Sequence, residues 1–283
     1  MKLAFSSNAF VRYSLLETIR LLAETGYRGI EIMADVPHAY PPDLGASELK
    51  ELRSTLDRCR MEISNLSSFM LRAIGDIYHP SWIEADPALR SKRIEHTINS
   101  IELAHELGAK TISTGPGGPL DGMEPERALG LFKDGLRQIE SLAAKRKVRV
   151  LIEPEPELMI ENSSQFKEFC RELDPRIFGL NFDIGHFFCV GEDPAQQIIE
   201  LKDYIGHFHL EDIGRSRVHH HILLGDGALD FQGIFDAMEK IGYDGFVTVE
   251  LYTYEDRPVE AARHAIDFLR NTTYGARNFF GQG

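Results

Sequence analysis

Residues 181–188 read NFDIGHFF, a stretch that begins as a strand and then places Asp183 and His186 three residues apart. The strand starts earlier, at FGLNFD, and is one of eight short apolar runs along the chain. These runs lack the strict polar alternation of a strand with one wet face. They are therefore typical of parallel strands that are covered on both sides.

Helical patterns separate the strand runs and define the predicted architecture. Ser14 and Glu17 form a capping-box pattern at the start of the first helix. The ranges 88–107, 124–146 and 258–270 each carry one apolar stripe at helical spacing. Strands that alternate with helices indicate βαβ units. We therefore predict an α/β protein, a single (β/α)8 TIM barrel spanning residues 1–283. The eight runs are KLAFS, GIEIMA, EISNLS, KTIST, VRVLIEP, FGLNFD, GHFHLED and FVTVEL.

The composition of the chain limits the kinds of partner that it can bind and indicates its cellular compartment. The formal net charge of −13 argues against nucleic acid, because phosphate binding needs a basic surface. Three cysteines without a CxxC pair indicate a reduced, intracellular protein. No apolar run reaches the roughly 18 residues of a membrane helix, and no secretory signal pattern opens the sequence. We expect a cytoplasmic protein with no membrane partner, and the sequence is compatible with a homo-oligomer.

Chemistry-bearing side chains end the last four predicted strands. Glu153 follows the fifth strand, and Asp183, His209 and Glu250 end the sixth, seventh and eighth. Barrel strands converge on one mouth at their carboxyl ends, so these side chains can share a centre. Three carboxylates and one imidazole suit one divalent metal ion such as Mn²⁺, Mg²⁺, Co²⁺ or Zn²⁺. The alternative is that each residue is an isolated cap or ion pair.

The motifs IEPEPE, FDIGH, HFHLED and VTVEL, in this order and spacing, resemble the xylose isomerase-like TIM-barrel superfamily. Its members include sugar-phosphate isomerases and epimerases, inosose-processing enzymes, dehydroshikimate dehydratases and endonuclease IV enzymes. The resemblance implies a metal site formed by the four residues above. It also implies that Glu153 and Glu250 act as the catalytic acid–base pair.

The same resemblance implies a set of residues that bind substrate. His186 would bind a substrate oxygen, and Arg215, with Arg217 as a rival, would contact substrate after the seventh strand. Glu31 would lie near substrate. The segment RVHHH resembles a zinc-binding segment of endonuclease IV enzymes, and His219 and His221 occupy its two ligand positions. His221 would act at the mouth, with or without a second metal ion. Trp82 is either a lid over the mouth or the anchor of a long loop.

A departure from endonuclease IV enzymes limits the choice of function. Those enzymes have a metal-binding histidine before PG in the fourth strand, where this sequence has Gly115. A trinuclear zinc site is therefore not expected. We predict a metal-dependent isomerase or epimerase of a small sugar, sugar phosphate or related hydroxy-ketone, which acts through a metal-stabilised enediolate. A dehydratase of an inosose or dehydroshikimate is the alternative. A phosphodiesterase and a non-catalytic sugar-binding protein rank behind both.

Overall fold

The computed structural model describes residues 1–281, in which eight parallel strands close into a barrel. Each strand pairs with its neighbours in the chain, and the eighth strand closes the barrel against the first. The single (β/α)8 barrel predicted from the sequence is therefore confirmed, and all eight predicted runs form strands. The strands are β1 Lys2–Ser6, β2 Gly29–Met33, β3 Glu62–Ser67, β4 Thr111–Thr114, β5 Arg149–Ile152, β6 Phe178–Asp183, β7 Ile205–Leu210 and β8 Phe246–Val249.

Helices follow the strands and form the outer layer. The Ser14 hydroxyl caps the first of them by accepting a hydrogen bond from the Glu17 amide at 3.3 Å. No helix among residues 1–281 combines the length and the hydropathy needed to cross a membrane. The helices are α1 Leu15–Thr25, α2 Ala46–Cys59, α3 Pro87–Leu107, α4 Pro125–Arg146, α5 Ser163–Cys170, α6 Ile184–Cys189, α7 Pro194–Glu200, α8 Phe231–Lys240, α9 Pro258–Asn271 and α10 Thr273–Phe279.

Successive side chains of β7 point alternately to the apolar packing around the barrel and to its polar interior. Phe208 is fully buried, and its ring centroid lies 5.3 Å from that of Phe182 and 4.8 Å from that of Tyr243. The flanking His207 and His209 point to the other side, because successive side chains of a strand face opposite ways. His207 bonds inside the barrel to the Asn181 side chain at 2.7 Å. The aromatic packing thus fixes the strand that carries His209.

Asp183 lies at the junction of β6 and α6 and explains why a buried strand ends in an acid. Its Oδ1 accepts a hydrogen bond from the His186 amide at 2.8 Å, which caps the helix that follows. Its Oδ2 is buried and has no hydrogen-bond partner. One carboxylate oxygen therefore caps the N-terminus of α6. The other remains available to bind a ligand at the carboxyl end of the barrel.

Candidate active site

The side chains that end β5 to β8 meet around the imidazole of His209. The Nδ1 atom of His209 lies 2.9 Å from a Glu153 carboxylate oxygen, 3.6 Å from one of Glu250 and 3.7 Å from Oδ2 of Asp183. One donor atom from each of the four residues falls within 4.8 Å of all the others. The structure thus brings together the four residues predicted as a ligand set.

The opposite nitrogen of His209 contacts Glu31. The Nε2–Oε2 distance is 2.9 Å, and Glu31 also accepts hydrogen bonds from Ser6 and Asn65. Glu31 is fully buried and does not line the cavity. Its predicted contact with substrate therefore needs correction: the carboxylate lies behind His209 and orients its ring. With Nε2 directed at Glu31, Nδ1 is the ring atom that faces the other three carboxylates.

The charges of this cluster are strongly coupled. Burial alone would lower the pKa of His209, but Glu31, Glu250 and Glu153 raise it well above its usual value. Burial would raise the pKa of Glu31, yet the adjacent His209 lowers it to about 2. Burial, together with Glu153 and Asp183, raises the pKa of Glu250 to about 8 against the effect of His209. The centre therefore holds more buried negative charge than its imidazole compensates.

A divalent metal ion fits these donors. Buried carboxylates are costly without a paired positive charge, and here Glu31, Glu153, Asp183 and Glu250 surround one imidazole. The partnerless Oδ2 of Asp183 is a free ligand atom at the centre. Carboxylate oxygens with one imidazole nitrogen form a donor set for Mn²⁺, Mg²⁺, Co²⁺ or Zn²⁺. Glu153, Asp183, Glu250 and Nδ1 of His209 would hold such an ion.

Three histidines form a second cluster beside this centre. Nδ1 of His186 donates to the Pro154 carbonyl at 2.8 Å, and its Nε2 lies 2.9 Å from Nε2 of His219. His221 donates from Nδ1 to the Glu250 carbonyl at 3.0 Å, and its Nε2 has no partner. The three rings offer donor atoms within 4.8 Å of one another. His186 and His219 line the cavity, whereas His221 is fully buried behind it.

Glu211 is a further buried acid, which was not predicted from the sequence. Its side chain accepts a hydrogen bond from the Gly185 amide, and its Oε2 has no partner. Burial and the nearby Asp183 and Glu250 raise its pKa well above the usual value. Its position directly after the HFHL strand, in the quoted motif HFHLED, is the signal that could have found it.

A cavity of about 430 Å³ opens above the centre, and Glu153 and Glu250 lie in its wall. Asn8, which follows β1, donates to the Glu250 carboxylate at 2.8 Å. Glu155 is a further buried acid of the wall, and the Tyr78 hydroxyl donates to it at 3.0 Å. Burial raises the pKa of Glu155 to about 7. Asn8, Glu155 and Tyr78 were not predicted from the sequence, although Asn8 and Glu155 closely follow predicted strands.

Neither predicted arginine reaches the cavity. Arg215 is exposed and does not line it. Arg217 donates to the Phe188 carbonyl at 2.8 Å, and its guanidinium lies 4.3 Å from the centroid of that ring. These placements correct the prediction that Arg215 or Arg217 contacts substrate. The arginine in the cavity wall is Arg72, from the loop after β3.

Trp82 also lies away from the cavity and serves as the anchor of its loop. Its indole is 1% exposed, and its Nε1 donates to the Thr114 hydroxyl at 2.8 Å. The ring packs 5.6 Å from that of Phe132, between centroids. A Cβ atom at Gly135 would come within 2.8 Å of this ring, so the close approach requires glycine there. Of the two alternatives for Trp82, the structure supports the loop anchor, and the lid over the mouth with its contact to substrate is corrected.

The protein is a closed (β/α)8 barrel, and the carboxyl ends of its strands carry acids and an imidazole. It therefore belongs to the class of (β/α)8 barrels whose centre has the donor atoms of a metal site. A family model described as xylose isomerase-like TIM barrel matches residues 19–272. The chain therefore belongs to the xylose isomerase-like TIM barrel family, as its motifs indicated.

Named relatives and a solved structure resemble the chain over most of its length. Inosose dehydratase of Geobacillus thermodenitrificans (strain NG80-2) is 27% identical, covering 68% of this chain and 75% of the relative. The 3-dehydro-D-guloside 4-epimerase of Escherichia coli (strain K12) is 24% identical, covering 95% and 99%. A crystal structure of the IOLI protein with a zinc atom superposes with a TM-score of 0.80 at 20% identity, covering 99% of both chains.

Proposed function

We propose that the protein is a divalent-metal-dependent epimerase or isomerase that moves a proton next to the carbonyl of a small sugar-like substrate. The observation that carries the proposal is the position of Glu153 and Glu250. Both lie in the wall of one cavity, and both approach Nδ1 of the same histidine, at 2.9 and 3.6 Å. The 3-dehydro-D-guloside 4-epimerase among the relatives supports this type of chemistry.

The ligand set would be Glu153, Asp183, His209 and Glu250, with one ion per chain. When bound, a divalent ion at this centre polarises a substrate carbonyl and stabilises negative charge on its oxygens. Glu31 keeps the Nδ1 lone pair of His209 directed at the ligand set by accepting the hydrogen of Nε2 at 2.9 Å.

Glu153 and Glu250 are the proposed proton carriers. They come from β5 and β8, which are not neighbours in the barrel, so they approach a bound substrate from different sides. One carboxylate removes the proton from the carbon next to the carbonyl, and the other returns a proton to the opposite face or to the adjacent carbon. Asn8 fixes the orientation of Glu250 through its 2.8 Å hydrogen bond.

His186 is the proposed residue for orienting a substrate hydroxyl. The Pro154 carbonyl fixes the hydrogen of the imidazole on Nδ1, so Nε2 faces the side of Asp183, 3.6 Å from its Oδ2. A substrate hydroxyl that replaced His219 as the partner of Nε2, which lies 2.9 Å away, would be held at a defined position. His186 lines the cavity, which supports the role that the resemblance implied.

A dehydratase is the second candidate, and the wall of the cavity gives it specific support. Glu155 is a buried carboxyl group outside the ligand set, in contact with the Tyr78 hydroxyl. A carboxylic acid in that position would protonate a leaving hydroxide after the same first proton abstraction. Inosose dehydratase among the relatives is consistent with this reaction.

The test combines metal analysis with solvent exchange. The purified protein is expected to bind one divalent ion per chain, and His209→Ala should lower that occupancy. The metal-loaded protein is then incubated in D₂O with keto-sugars, an inosose and dehydroshikimate. Deuterium at the carbon next to the carbonyl without loss of water indicates epimerisation, whereas loss of water indicates dehydration. Three zinc ions per chain together with cleavage of abasic DNA would contradict the proposal.

A further inference from the structure

Apolar side chains are concentrated at the outer end of the cavity. Six large apolar side chains are exposed among residues 1–281, and four of them line this one cavity. They are Ile77, Tyr78, Val218 and Tyr252, which we call the apolar rim. Val218 is 64% exposed, which is unusual for a residue of its type. Exposed apolar groups clustered around a pocket mark a binding site, whereas single ones carry no such meaning.

The negative charge of the cavity wall argues against phosphorylated ligands. Glu155 and Glu157 line the cavity above the two acids of the centre, and Glu255 lies at its edge. Arg72 is the one arginine or lysine of the wall among the residues that the structure describes. A phosphate group at this end would face carboxylates with a single cationic partner. Phosphate sites are instead built from several arginine, lysine or backbone N–H donors.

We infer that the substrate is a non-phosphorylated glycoside-like molecule, whose sugar part lies at the metal centre and whose apolar substituent lies against the apolar rim. The inference rests on the proposed function, because that function places the polyhydroxylated part of the substrate at Glu153 and Glu250. The apolar rim and the metal centre open on the same cavity of about 430 Å³, which is within the range of small-molecule sites. One molecule can therefore contact both ends.

The probes are glucosides that differ only in their anomeric substituent. Phenyl β-D-glucopyranoside, methyl β-D-glucopyranoside and β-D-glucose 1-phosphate are titrated into the metal-loaded protein by calorimetry. The phenyl derivative is expected to bind about tenfold more tightly than the methyl derivative, because the rim removes its ring from water. The phosphate derivative is expected to bind more weakly than the methyl derivative.

Two rim variants and one matched control test whether the apolar rim causes the phenyl-over-methyl preference. In Ile77→Ser and Val218→Ser, the phenyl-over-methyl preference should fall at least about threefold, since each substitution removes apolar surface from the rim. Leu89→Ser is the control: Leu89 is 37% exposed, close to the 39% of Ile77, but it lies on α3 outside the cavity. The control should keep the preference of the unmodified protein.

Three results would overturn the inference: tighter binding of the phosphate derivative, equal binding of the phenyl and methyl derivatives, or no phenyl glucoside binding at its solubility limit. An equal loss of preference in Leu89→Ser would also overturn the role of the rim. The titrations involve no turnover. A protein that binds in the expected order but exchanges no substrate hydrogen therefore contradicts the proposed function alone. A protein that exchanges hydrogen but prefers the phosphate derivative contradicts the inference alone.

Discussion

At the inner end of the cavity the charged side chains come from strand ends, whereas at the rim the side chains come from loops. Glu153 and His209 are fixed by β5 and β7, each of which pairs in parallel with its neighbouring strands in the barrel. Ile77 and Val218 lie in the loops after β3 and β7, with 39% and 64% of their surfaces exposed. The inner end is buried and strongly charged, and the rim is exposed and apolar.

Under the proposed function, this difference separates chemistry from selectivity. Groups that move protons must be held in fixed geometry, and a closed barrel supplies that rigidity. Groups that select a substrate need only offer a surface complementary to it, and loop sequences can vary without disturbing the barrel. The relatives fit this division, because a dehydratase and an epimerase both resemble the chain in sequence. Substitutions at the two ends should therefore differ in kind as well as in size.

The largest effect is expected from Glu153→Gln and Glu250→Gln. Glutamine keeps an oxygen that can bind a cation but cannot accept the proton. With metal restored to saturation, turnover and exchange of the substrate hydrogen with solvent should each fall by at least about 10²-fold. Glu62→Gln is the control, because Glu62 begins β3 at the far end of the barrel and pairs with Lys2. If both variants keep normal turnover and exchange, the base lies elsewhere.

Phe208→Ala tests the packing that holds the inner end in place. The ring is fully buried between Phe182 and Tyr243, so its removal leaves a cavity in the layer between strand and helix. The free energy of unfolding should fall by about 3–5 kcal/mol. Denaturant unfolding, measured without added metal, gives this value directly. A loss below about 1 kcal/mol would mean that the site collapses around the missing ring.

Glu31→Gln tests whether the buried acid behind His209 supports the metal centre. The amide keeps the size of the side chain but is a weaker acceptor for the Nε2 hydrogen. Metal affinity should fall by about 10–100-fold, the usual effect of losing a partner of a ligating histidine. Competition with a chelator measures the affinity, and Glu62→Gln should leave it unchanged. If substrate affinity falls while metal affinity does not, Glu31 contacts substrate after all.

The smallest effect is expected from Val218→Ser on stability. The side chain is 64% exposed, so its replacement removes little buried surface. The free energy of unfolding should stay within about 0.5 kcal/mol of the unmodified protein. Thermal and denaturant unfolding both report on this. A loss above about 1 kcal/mol would show that Val218 packs against the protein and that the rim is not free to bind a ligand.

The sequence alone was sufficient to predict the eight strands, the closure of the barrel and the meeting of four side chains at one centre. Strand periodicity is local, and parallel strands of a barrel bring their carboxyl ends to one face. Glu153, Asp183, His209 and Glu250 lie at or within one residue of a strand's carboxyl end, so their meeting follows from the fold class without knowledge of any loop. The motifs of the family pointed to the same four residues.

Tertiary structure decided the roles of the remaining residues. Glu31 is in β2, but only the registration of β2 against the barrel interior shows that it contacts His209 rather than the cavity. Trp82 and Arg72 share one loop, and the packing of that loop buries the indole while it turns the guanidinium to the cavity wall. Arg215 has the expected spacing, yet its loop leaves it in solvent. A loop side chain takes its direction from distant contacts, which local periodicity does not encode.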